Sequence, residues 1–373
     1  PHMLQEIAQK GTPAQRQTAI SNLTASAEMR GRRQAMTNFA VLRVTQLVEG
    51  KQRIIYDAGQ GSALPGRQIR RENDPPTGDP AADEAFDGAG ATYDLFWEVY
   101  GRKSIDGKGM RIDSTVHYKR GYDNAFWNGQ QMVYGDGDED LPEPDRLFNR
   151  FTIAVDIIGH ELTHGITHHE AALVNRDQPG ALNESMSDVF GALVKQRGLG
   201  QSARDADWLI GAGLFTPAVN GQALRSMKEP GTAYDDPVLG KDPQPGHMND
   251  YRHVTYDNGG VHINSGIPNR AFYVAAFELN GFAWEKMGKI WYVALRDRLR
   301  ASSDFQEAVN FTFDVAGDLF GSGSLEQQAV QTGWNEVGIQ VTTPPDDGGG
   351  NGDPLPDPNA EGCLPTVKAL LGF

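Results

Sequence analysis

Apolar residues in the second half of the chain recur at the three- and four-residue spacing of amphipathic helices. The stretch 152–166 shows this spacing at Ile153, Ile157, Leu162 and Ile166. A second helical stretch covers 182–197. Further helical patterns lie near 265–280, 284–300, 304–320 and 324–337. The C-terminal half is therefore predicted to be mainly α-helical.

The first half of the chain has shorter apolar runs, separated by glycine, aspartate and proline. Val41–Val44 and Arg53–Tyr56 are predicted strands, and the same pattern continues over 110–118. One helix is predicted there, at 91–99. The fold class is thus α+β, with a β-rich N-terminal domain and a mainly helical C-terminal domain that meet at the 152–166 helix.

Three segments differ in composition from the rest of the chain. Residues 1–37 are polar and helix-forming, with a helix start at Thr12-Pro13 and an exposed basic run at Arg30–Arg33. Residues 198–262 are rich in Gly, Pro and Asp and are predicted to be long loops. The expected organisation is a leading segment at 1–37, a β-rich domain at 38–151, an α-helical domain at 152–341, and a Gly/Pro/Asp-rich linker and tail at 342–373.

Charge and cysteine content exclude several classes of function. The formal net charge is −15 over 373 residues, which argues against nucleic acid as a partner. The single cysteine, Cys363, permits neither an intrachain disulfide nor a cysteine metal site. No apolar run approaches the roughly 18 residues of a membrane span. A soluble monomer is expected.

The most informative motif is His160-Glu161-Leu162-Thr163-His164. Positions i and i+4 share one face of a helix, so the imidazoles of His160 and His164 can bind one metal ion. Glu161 lies beside them, where a general base would act on water. Two histidines on an exposed helix face are the alternative.

A third metal ligand is predicted on the second helix. Glu184 and Asp188 are four residues apart and share a face. Glu184 can complete a two-histidine, one-carboxylate zinc site. Asp188 can accept the second ring N–H of a ligand histidine. The alternative is a pair of solvated carboxylates near the start of a helix.

A third histidine is the next candidate for chemistry. His262 can donate a hydrogen bond to a developing oxyanion, and Asp257 can orient its ring and favour the charged form. A loop histidine without a special role is the alternative reading of this residue.

These motifs together resemble the thermolysin family of zinc metallopeptidases, and most closely its protealysin-type subgroup with a short propeptide. The resemblance covers about residues 38–341. It is carried by motifs in family order: Asn124–Gly129, Tyr134–Asp138, the zinc motif, Gly180–Glu184, Leu224–Met227 and Asp257–Gly266.

The resemblance implies a role for each matching position. His160, His164 and Glu184 match zinc ligands, and Glu161 matches the base that takes a proton from water. His262 matches the donor to the transition state, and Asp257 its partner. The substrate-binding positions are matched by Asn124, Ala125 and Arg225, with an apolar pocket wall of Phe148, Ile157, Ile210, Leu214 and Leu224. This wall implies cleavage on the amino side of bulky hydrophobic residues.

The chain departs from the family at the oxyanion. The family has a tyrosine between the two ligand helices, and an ungapped count from His160 places Asn175 there. An amide is a shorter donor than a phenol, and loss of one such donor costs about 10²–10³ in rate. A slower enzyme is therefore expected.

A second departure concerns calcium. Asp156 and Asp207 stand at family calcium positions, but Lys195 and Ala212 replace two glutamates, and Gln222 replaces another acid. We predict that the double calcium site is absent, that Lys195 acts as counter-ion for the two aspartates, and that calcium dependence is weak.

The leading segment resembles a short inhibitory propeptide. Pro1-His2-Met3-Leu4-Gln5 matches the propeptide start of the subgroup, although a vector-derived His-Met scar would look the same. As a propeptide, its apolar head is expected to fill the cleft until the chain is cut near residues 30–45.

The predicted function is a zinc endopeptidase made as an auto-inhibited precursor, with its own propeptide as an inhibitor. A zinc hydrolase of another substrate class is one alternative, against which the motif at 124–129 argues. A zinc-stabilised binding protein with little or no turnover is another; Glu161, His262 and Asp257 argue against it, and Asn175 keeps it open. Secretion follows from the resemblance, but no signal peptide is visible, so a cytoplasmic protein stays an alternative.

Overall fold

The computed structural model describes residues 2–36 and 50–342. The predicted strand at 41–44, most of the linker and tail, and Cys363 lie outside this range. The leading segment forms two helices, α1 (His2–Lys10) and α2 (Pro13–Met36). As the Thr12-Pro13 pair predicts, Thr12 caps α2: its hydroxyl accepts a hydrogen bond from the Gln15 amide at 3.3 Å.

A five-stranded mixed sheet forms the N-terminal part of the body. Its strands are β1 (Arg53–Asp57), β2 (Arg67–Arg71), β3 (Ile112–Val116), β4 (Ala125–Trp127) and β5 (Met132–Tyr134). They lie in the order β2-β1-β3-β5-β4, so β4 ends the sheet. Strands β1, β3 and β5 are parallel, while β2 and β4 pair antiparallel with their neighbours.

One long helix packs on this sheet. Helix α3 runs over Pro80–Tyr100, eleven residues further toward the N-terminus than the predicted 91–99. Its start is fixed by Asp79, whose side chain accepts from the Ala81 amide at 3.0 Å, and its end by Gly101 at a φ of 68°. Residue Gly88 faces Ile158, which accounts for a glycine in the middle of the helix.

Helices dominate the rest of the body, close to the predicted positions. They are α4 (Val155–His169), α5 (Asp177–Leu199), α6 (Asp257–Asn264), α7 (Gly266–Leu279), α8 (Lys286–Val293), α9 (Phe305–Phe320) and α10 (Leu325–Glu336). The prediction of loop throughout 198–262 extends only slightly too far, because α6 begins with positive φ angles at Asp257–Gly260 and its regular helical backbone starts at Val261. Four two-residue strands interrupt the rest of this segment: β6 (Leu209–Ile210), β7 (Arg225–Ser226), β8 (Asp235–Asp236) and β9 (Gly240–Lys241).

Glycines allow α4 and α5 to approach each other closely. A Cβ on Gly159 would lie 3.0 Å from the Gly191 Cα, and one on Gly191 would lie 2.3 Å from the Asp156 carbonyl oxygen. Any larger residue at Gly191 would push the helices apart. This contact places the face of α4 that bears His160 against the face of α5 that bears Glu184.

No helix among the residues that the structure describes is long and apolar enough to cross a lipid bilayer.

Candidate metal centre and cleft

Three donor atoms converge between α4 and α5. The Nε2 atoms of His160 and His164 lie 3.1 Å apart. Glu184 Oε2 lies 3.5 Å from the first and 3.7 Å from the second. All three residues are buried. The arrangement brings together two nitrogens and one oxygen at a single point.

Hydrogen bonds on the far side of each ring orient these nitrogens. His160 Nδ1 donates to Asp188 Oδ1 at 2.7 Å, and His164 Nδ1 donates to Asn183 Oδ1 at 2.8 Å. With the proton on Nδ1, each Nε2 lone pair points toward the common centre. Outer partners of this kind fix the tautomer of metal-binding histidines.

Asp188 is held as a buried anion by several donors. Arg225 donates to its two oxygens from Nε at 2.8 Å and Nη2 at 2.7 Å, and Asn269 Nδ2 donates at 2.8 Å. Burial would raise the pKa of the Asp188 carboxyl, but the charges of Arg225 and His160 lower it well below its usual range. Its negative charge therefore persists beside the His160 ring.

The residues present fit a zinc ion. Glu184 Oε2 is buried and has no hydrogen-bond partner among the described residues, an arrangement that is costly unless another group binds there. Burial would raise the pKa of Glu184, but the facing His262, His164 and His160 lower it well below its usual range. Two imidazoles and one carboxylate form a ligand set that zinc prefers in catalytic sites.

Glu161 lies beside this ligand set. Its carboxylate comes within 4.8 Å of the ring nitrogens of both histidines. One of its oxygens accepts a hydrogen bond from the Trp127 amide on β4 at 3.0 Å. This bond aims the Glu161 carboxylate at the cleft between the helix and the sheet edge.

His262 faces the same centre from α6. Its Nε2 lies 3.5 Å from Glu184 Oε2, and its Nδ1 donates to Asp257 Oδ1 at 2.6 Å. The His262 amide donates to Asp257 Oδ2 at 3.0 Å. Burial lowers the pKa of His262, but Asp257 and Glu184 raise it above its usual value. The charged, donating form of the ring is thus favoured.

Positive φ angles at the start of α6 make this pairing possible. Asp257 and Asn258 have φ of 53° and 51°, and Gly259 and Gly260 have φ of 88° and 80°. The turn lets the Asp257 side chain reach the backbone and ring of a residue five positions later. Gly259 and Gly260 tolerate these angles without steric cost.

Most of the predicted substrate residues line one cleft with the centre. The predicted residues at the cleft wall are Asn124, Ala125, Phe148, Ile157, Leu224 and Arg225, together with His160, Glu161, Asp257 and His262. Ile210 and Leu214 lie fully buried and outside the lining. Asn175 also lies outside it, half-buried, and its Oδ1 has no hydrogen-bond partner within the described part of the chain.

The leading segment enters this cleft. His2, Met3 and Leu4 of α1 line it, as do Leu23 and Ser26 of α2. Ser26 accepts a hydrogen bond from Asn124 Nδ2 at 3.3 Å. The segment therefore contacts the residue whose side chain is expected to hold a substrate strand.

Lys195 follows Asp188 by seven residues, which is about two turns along the same face of α5, and it lies among carboxylates. Its Nζ is 3.1 Å from Asp156 Oδ2 and 2.8 Å from Asp207 Oδ1, and donates to the Leu209 carbonyl at 2.6 Å. Burial lowers the pKa of Lys195, but Asp156 and Asp207 raise it above its usual value. The structure thus brings together the three residues of the predicted counter-ion cluster.

The sequence patterns did not predict a role at the site for three groups: Asn183, Asn269 and the Trp127 amide. Asn183 could have been found, since Asn183, Glu184, Ser187 and Asp188 form a polar stripe on an otherwise buried helix. Asn269 comes from a helix 81 residues away, and the Trp127 contact depends on how the sheet docks. Neither leaves a local pattern.

Comparisons with known proteins agree with this geometry. Residues 28–168 match the family model described as thermolysin metallopeptidase, catalytic domain, and residues 171–339 match that of the α-helical domain. An extracellular metalloprotease of Pectobacterium carotovorum subsp. carotovorum is 53% identical over 290 residues, covering 78% of this chain and 81% of the relative.

Two further relatives are similar over most of the chain. Protease PrtS of Photorhabdus sp. (strain Az29) is 49% identical over 292 residues, covering 78% of this chain and 76% of its own. The solved structure of the precursor of protealysin, a metalloproteinase from Serratia proteamaculans, is 49% identical with a TM-score of 0.80. It covers 91% of this chain and 98% of its own.

Proposed function

The chain belongs to the thermolysin family of zinc-dependent metallopeptidases, and from that premise we propose that it is an endopeptidase precursor held inactive by its own leading segment. The observation that carries the proposal is the convergence of His160, His164 and Glu184 beside a cleft that His160, Glu161 and residues of α1 and α2 line.

The residues around the centre have the chemistry for peptide hydrolysis. A zinc ion held by His160, His164 and Glu184 would supply a Lewis acid and lower the pKa of water to about 7. Glu161 takes a proton from the attacking water and passes it to the leaving nitrogen. Charged His262 donates from Nε2 to the oxyanion, with Asp257 holding its ring.

Substrate preference follows from the cleft wall. Phe148, Ile157 and Leu224 present apolar side chains on the cleft beside Arg225. A bulky hydrophobic side chain after the scissile bond would bury their apolar surface and its own. This burial favours binding by about 25 cal/mol per Å² of apolar surface. We therefore expect cleavage on the amino side of such residues.

Contacts of the leading segment support auto-inhibition. Leu4 and Ile7 are 8% and 2% exposed, so α1 is anchored by buried apolar side chains. Gln15 Nε2 donates to the Asp145 carbonyl at 3.1 Å, and Ser26 engages Asn124. A substrate cannot reach Asn124 and its neighbours while these contacts persist.

One hydrolysis assay tests the proposal. The chain is assayed before and after limited proteolysis within residues 30–45, on peptides that differ only in Leu or Asp after the scissile bond. Activity should appear on cleavage, favour the Leu peptide, and disappear with a zinc chelator and in Glu161→Gln. A cleaved, zinc-loaded chain without turnover would instead support a zinc-stabilised binding protein.

A further inference from the structure

His262 lies on very little regular structure of its own. The turn before it has four positive φ angles, and the regular backbone of α6 covers only residues 261–264. One helical turn is not stable through its own hydrogen bonds, so the direction of the His262 ring depends on contacts with other elements. Asp257 contacts the ring and the amide of His262, but not its carbonyl.

A glutamine from outside α6 holds that carbonyl. Gln244 Nε2 donates to the His262 carbonyl at 2.8 Å and to Ser265 Oγ at 3.0 Å. Ser265 Oγ donates to the same carbonyl at 3.2 Å. Carbonyl groups in the last turn of a helix depend on donors from outside that helix. Gln244 therefore adds a fixed point to His262 beside the two that Asp257 supplies.

The partners of the Gln244 amide fix its orientation. The His262 carbonyl can only accept a hydrogen bond, so it requires the NH₂ end of Gln244 and not its oxygen. A flipped amide would bring two acceptor oxygens together. Gln244 Oε1 has no hydrogen-bond partner in the part of the chain that the structure describes. The NH₂ group thus makes all the hydrogen bonds of this side chain.

Gln244 is itself held firmly, three residues after β9. Its amide donates to Asp242 Oδ1 at 3.1 Å, and Asp242 Oδ2 accepts from the amides of Gly231 at 3.0 Å and Ala233 at 3.2 Å. A Cβ on Gly266 would lie 3.0 Å from Gln244 Cβ, so the start of α7 packs closely on this residue. Gln244 can therefore transmit a fixed position to the backbone of His262.

Stability alone does not explain a glutamine at this position. Gln244 is 5% exposed and lines the cleft, yet its Oε1 is buried and unpaired among the described residues. A buried acceptor without a partner destabilises a fold by an amount comparable with what one or two hydrogen bonds contribute. Methionine has a similar length and would bury no unpaired oxygen. The contact with His262 gives the amide a role that methionine could not perform.

We propose that Gln244 is a positioning residue: by holding the His262 carbonyl, it keeps the His262 ring directed at the oxyanion. The inference rests on the proposed function, in which His262 donates to that oxyanion. Gln244 acts through the backbone of His262 and not through the substrate. Its loss should therefore lower kcat and leave KM unchanged, because only the transition state uses the His262 hydrogen bond.

Steady-state kinetics of the cleaved, zinc-loaded enzyme on the Leu-containing peptide test this role. Gln244→Met removes the donor at similar size. Gln244→Glu, at about pH 8, replaces it with an ionised acceptor that repels the His262 carbonyl. Each variant should lower kcat by about 10–100-fold and change KM by less than about twofold. An unchanged kcat in both variants, or a rise in KM alone, would overturn the inference.

Gln327→Met is the matched control. Gln327 is a buried glutamine on α10, outside the cleft lining, and its Nε2 also donates to a carbonyl, that of Phe313 at 3.1 Å. Its replacement should leave kcat unchanged, whatever it does to the Tm. A loss of kcat in Gln327→Met as large as in Gln244→Met would show a general effect of buried substitutions and would overturn the positioning role.

A double-mutant cycle with His262→Ala shows whether Gln244 acts through His262. In the His262→Ala background, Gln244→Met should cause no further loss of kcat, since there is no ring left to position. A loss of equal size in both backgrounds would overturn the inference. If the chain with Gln244 hydrolyses the peptide in that case, the proposed function still stands.

Inhibitor binding gives a readout that needs no turnover. A peptide phosphonate presents a tetrahedral oxyanion, whereas a peptide thiol binds zinc without one. Gln244→Met should raise the Kd of the phosphonate about tenfold and leave that of the thiol unchanged. Equal changes for both inhibitors would overturn the inference. A selective loss of phosphonate affinity in chains that hydrolyse no peptide would support it and count against the proposed function alone.

Discussion

Lys195 Nζ lies 3.1 Å from Asp156 Oδ2, between α5 and the start of α4. Only 1% of Asp156 is exposed, so the ammonium group of Lys195 compensates a buried carboxylate. Removing one partner of a buried pair leaves the other charge uncompensated, at about 3–5 kcal/mol. We expect Lys195→Ala to lower the free energy of unfolding by about that amount, measured by urea denaturation. Lys289→Ala, at an exposed position on α8, is the control and should change it by less than about 0.5 kcal/mol.

The same pair predicts weak dependence on calcium. Because Lys195 also contacts Asp207 and the Leu209 carbonyl, these oxygens already have a positive partner. A calcium-selective chelator should lower the Tm of the precursor by no more than about 2 °C, since nothing bound to the native state is removed. A large loss of Tm in the precursor would contradict the assignment of Lys195 as the counter-ion.

Asn175 gives a prediction about rate. A tyrosine there could donate to the oxyanion from a longer side chain, and one such donor is worth about 10²–10³ in kcat. Asn175→Tyr in the cleaved enzyme should raise kcat/KM by at least about tenfold, mainly through kcat, on a Leu-containing peptide. Asn175→Phe, which has the ring without the hydroxyl, should not. An unchanged kcat/KM in Asn175→Tyr would rule out this role.

Ile7 anchors the leading segment. It is 2% exposed on α1, and truncating a buried isoleucine to alanine costs about 2–5 kcal/mol. Ile7→Ala should therefore raise the activity of the uncut chain by at least about tenfold, measured at early times, with cleavage monitored by gel. Ile20→Ala, 56% exposed on α2, is the matched control. Equal activity of the two variants would argue against inhibition through α1.

Asp188 is expected to set the affinity for zinc. It orients His160 and pairs with Arg225, and loss of such an outer partner typically weakens metal binding 10–100-fold. Asp188→Asn should raise the zinc Kd by this factor, measured by competition with a chromophoric chelator. Asp250→Asn, at an exposed carboxylate far from the centre in sequence, should leave the Kd unchanged. An unchanged Kd in Asp188→Asn would contradict the outer-partner role.

His117 predicts how stability depends on pH. Its Nδ1 lies 2.8 Å from Asp136 and its Nε2 lies 2.7 Å from Asp79. The hydrogen bond to Asp136 raises the pKa of His117 to about 9, against the effect of burial, and Asp79 adds to the rise. Because the folded pKa exceeds the unfolded value of about 6.5, the stabilisation is complete below pH 6.5 and is lost as the pH rises through 9.

Urea unfolding at pH 6 and pH 10 measures this loss, which should be on the order of 2–3 kcal/mol. His117→Asn should remove most of the pH dependence, and asparagine tolerates the φ of 53° at this position. His253→Asn, at an exposed position, should retain it. The same pH dependence in His117→Asn would show that another group is responsible.

The metal centre could be predicted from the sequence because its residues lie on two regular helices. His160 and His164, like Glu184 and Asp188, are spaced by one helical turn, so a local pattern carries their geometry. The conformation of the turn at Asp257–Gly260 could not be predicted, because four successive positive φ angles have no periodic signature.

The fold was predictable to a similar extent. Helices α7, α9 and α10 match their predicted ranges to within a residue or two, since each has one clear apolar face. The first half of α3 was missed because its alanines and glycines give weak apolar contrast, and they are buried only through contact with other elements. Strands β4 and β5 are three residues long, too short for alternation to show.

The edge of β4 has a consequence for which proteins can be cut. In antiparallel pairing, Asn124 and Phe126 face β5, so the backbone groups of Ala125 and Trp127 point outward. The Trp127 amide is already bound to Glu161, which leaves Ala125 to pair with a substrate. Under the proposed function, pairing through so few backbone groups would require only a short unfolded stretch of substrate, so we expect exposed loops of otherwise folded proteins to be cleaved.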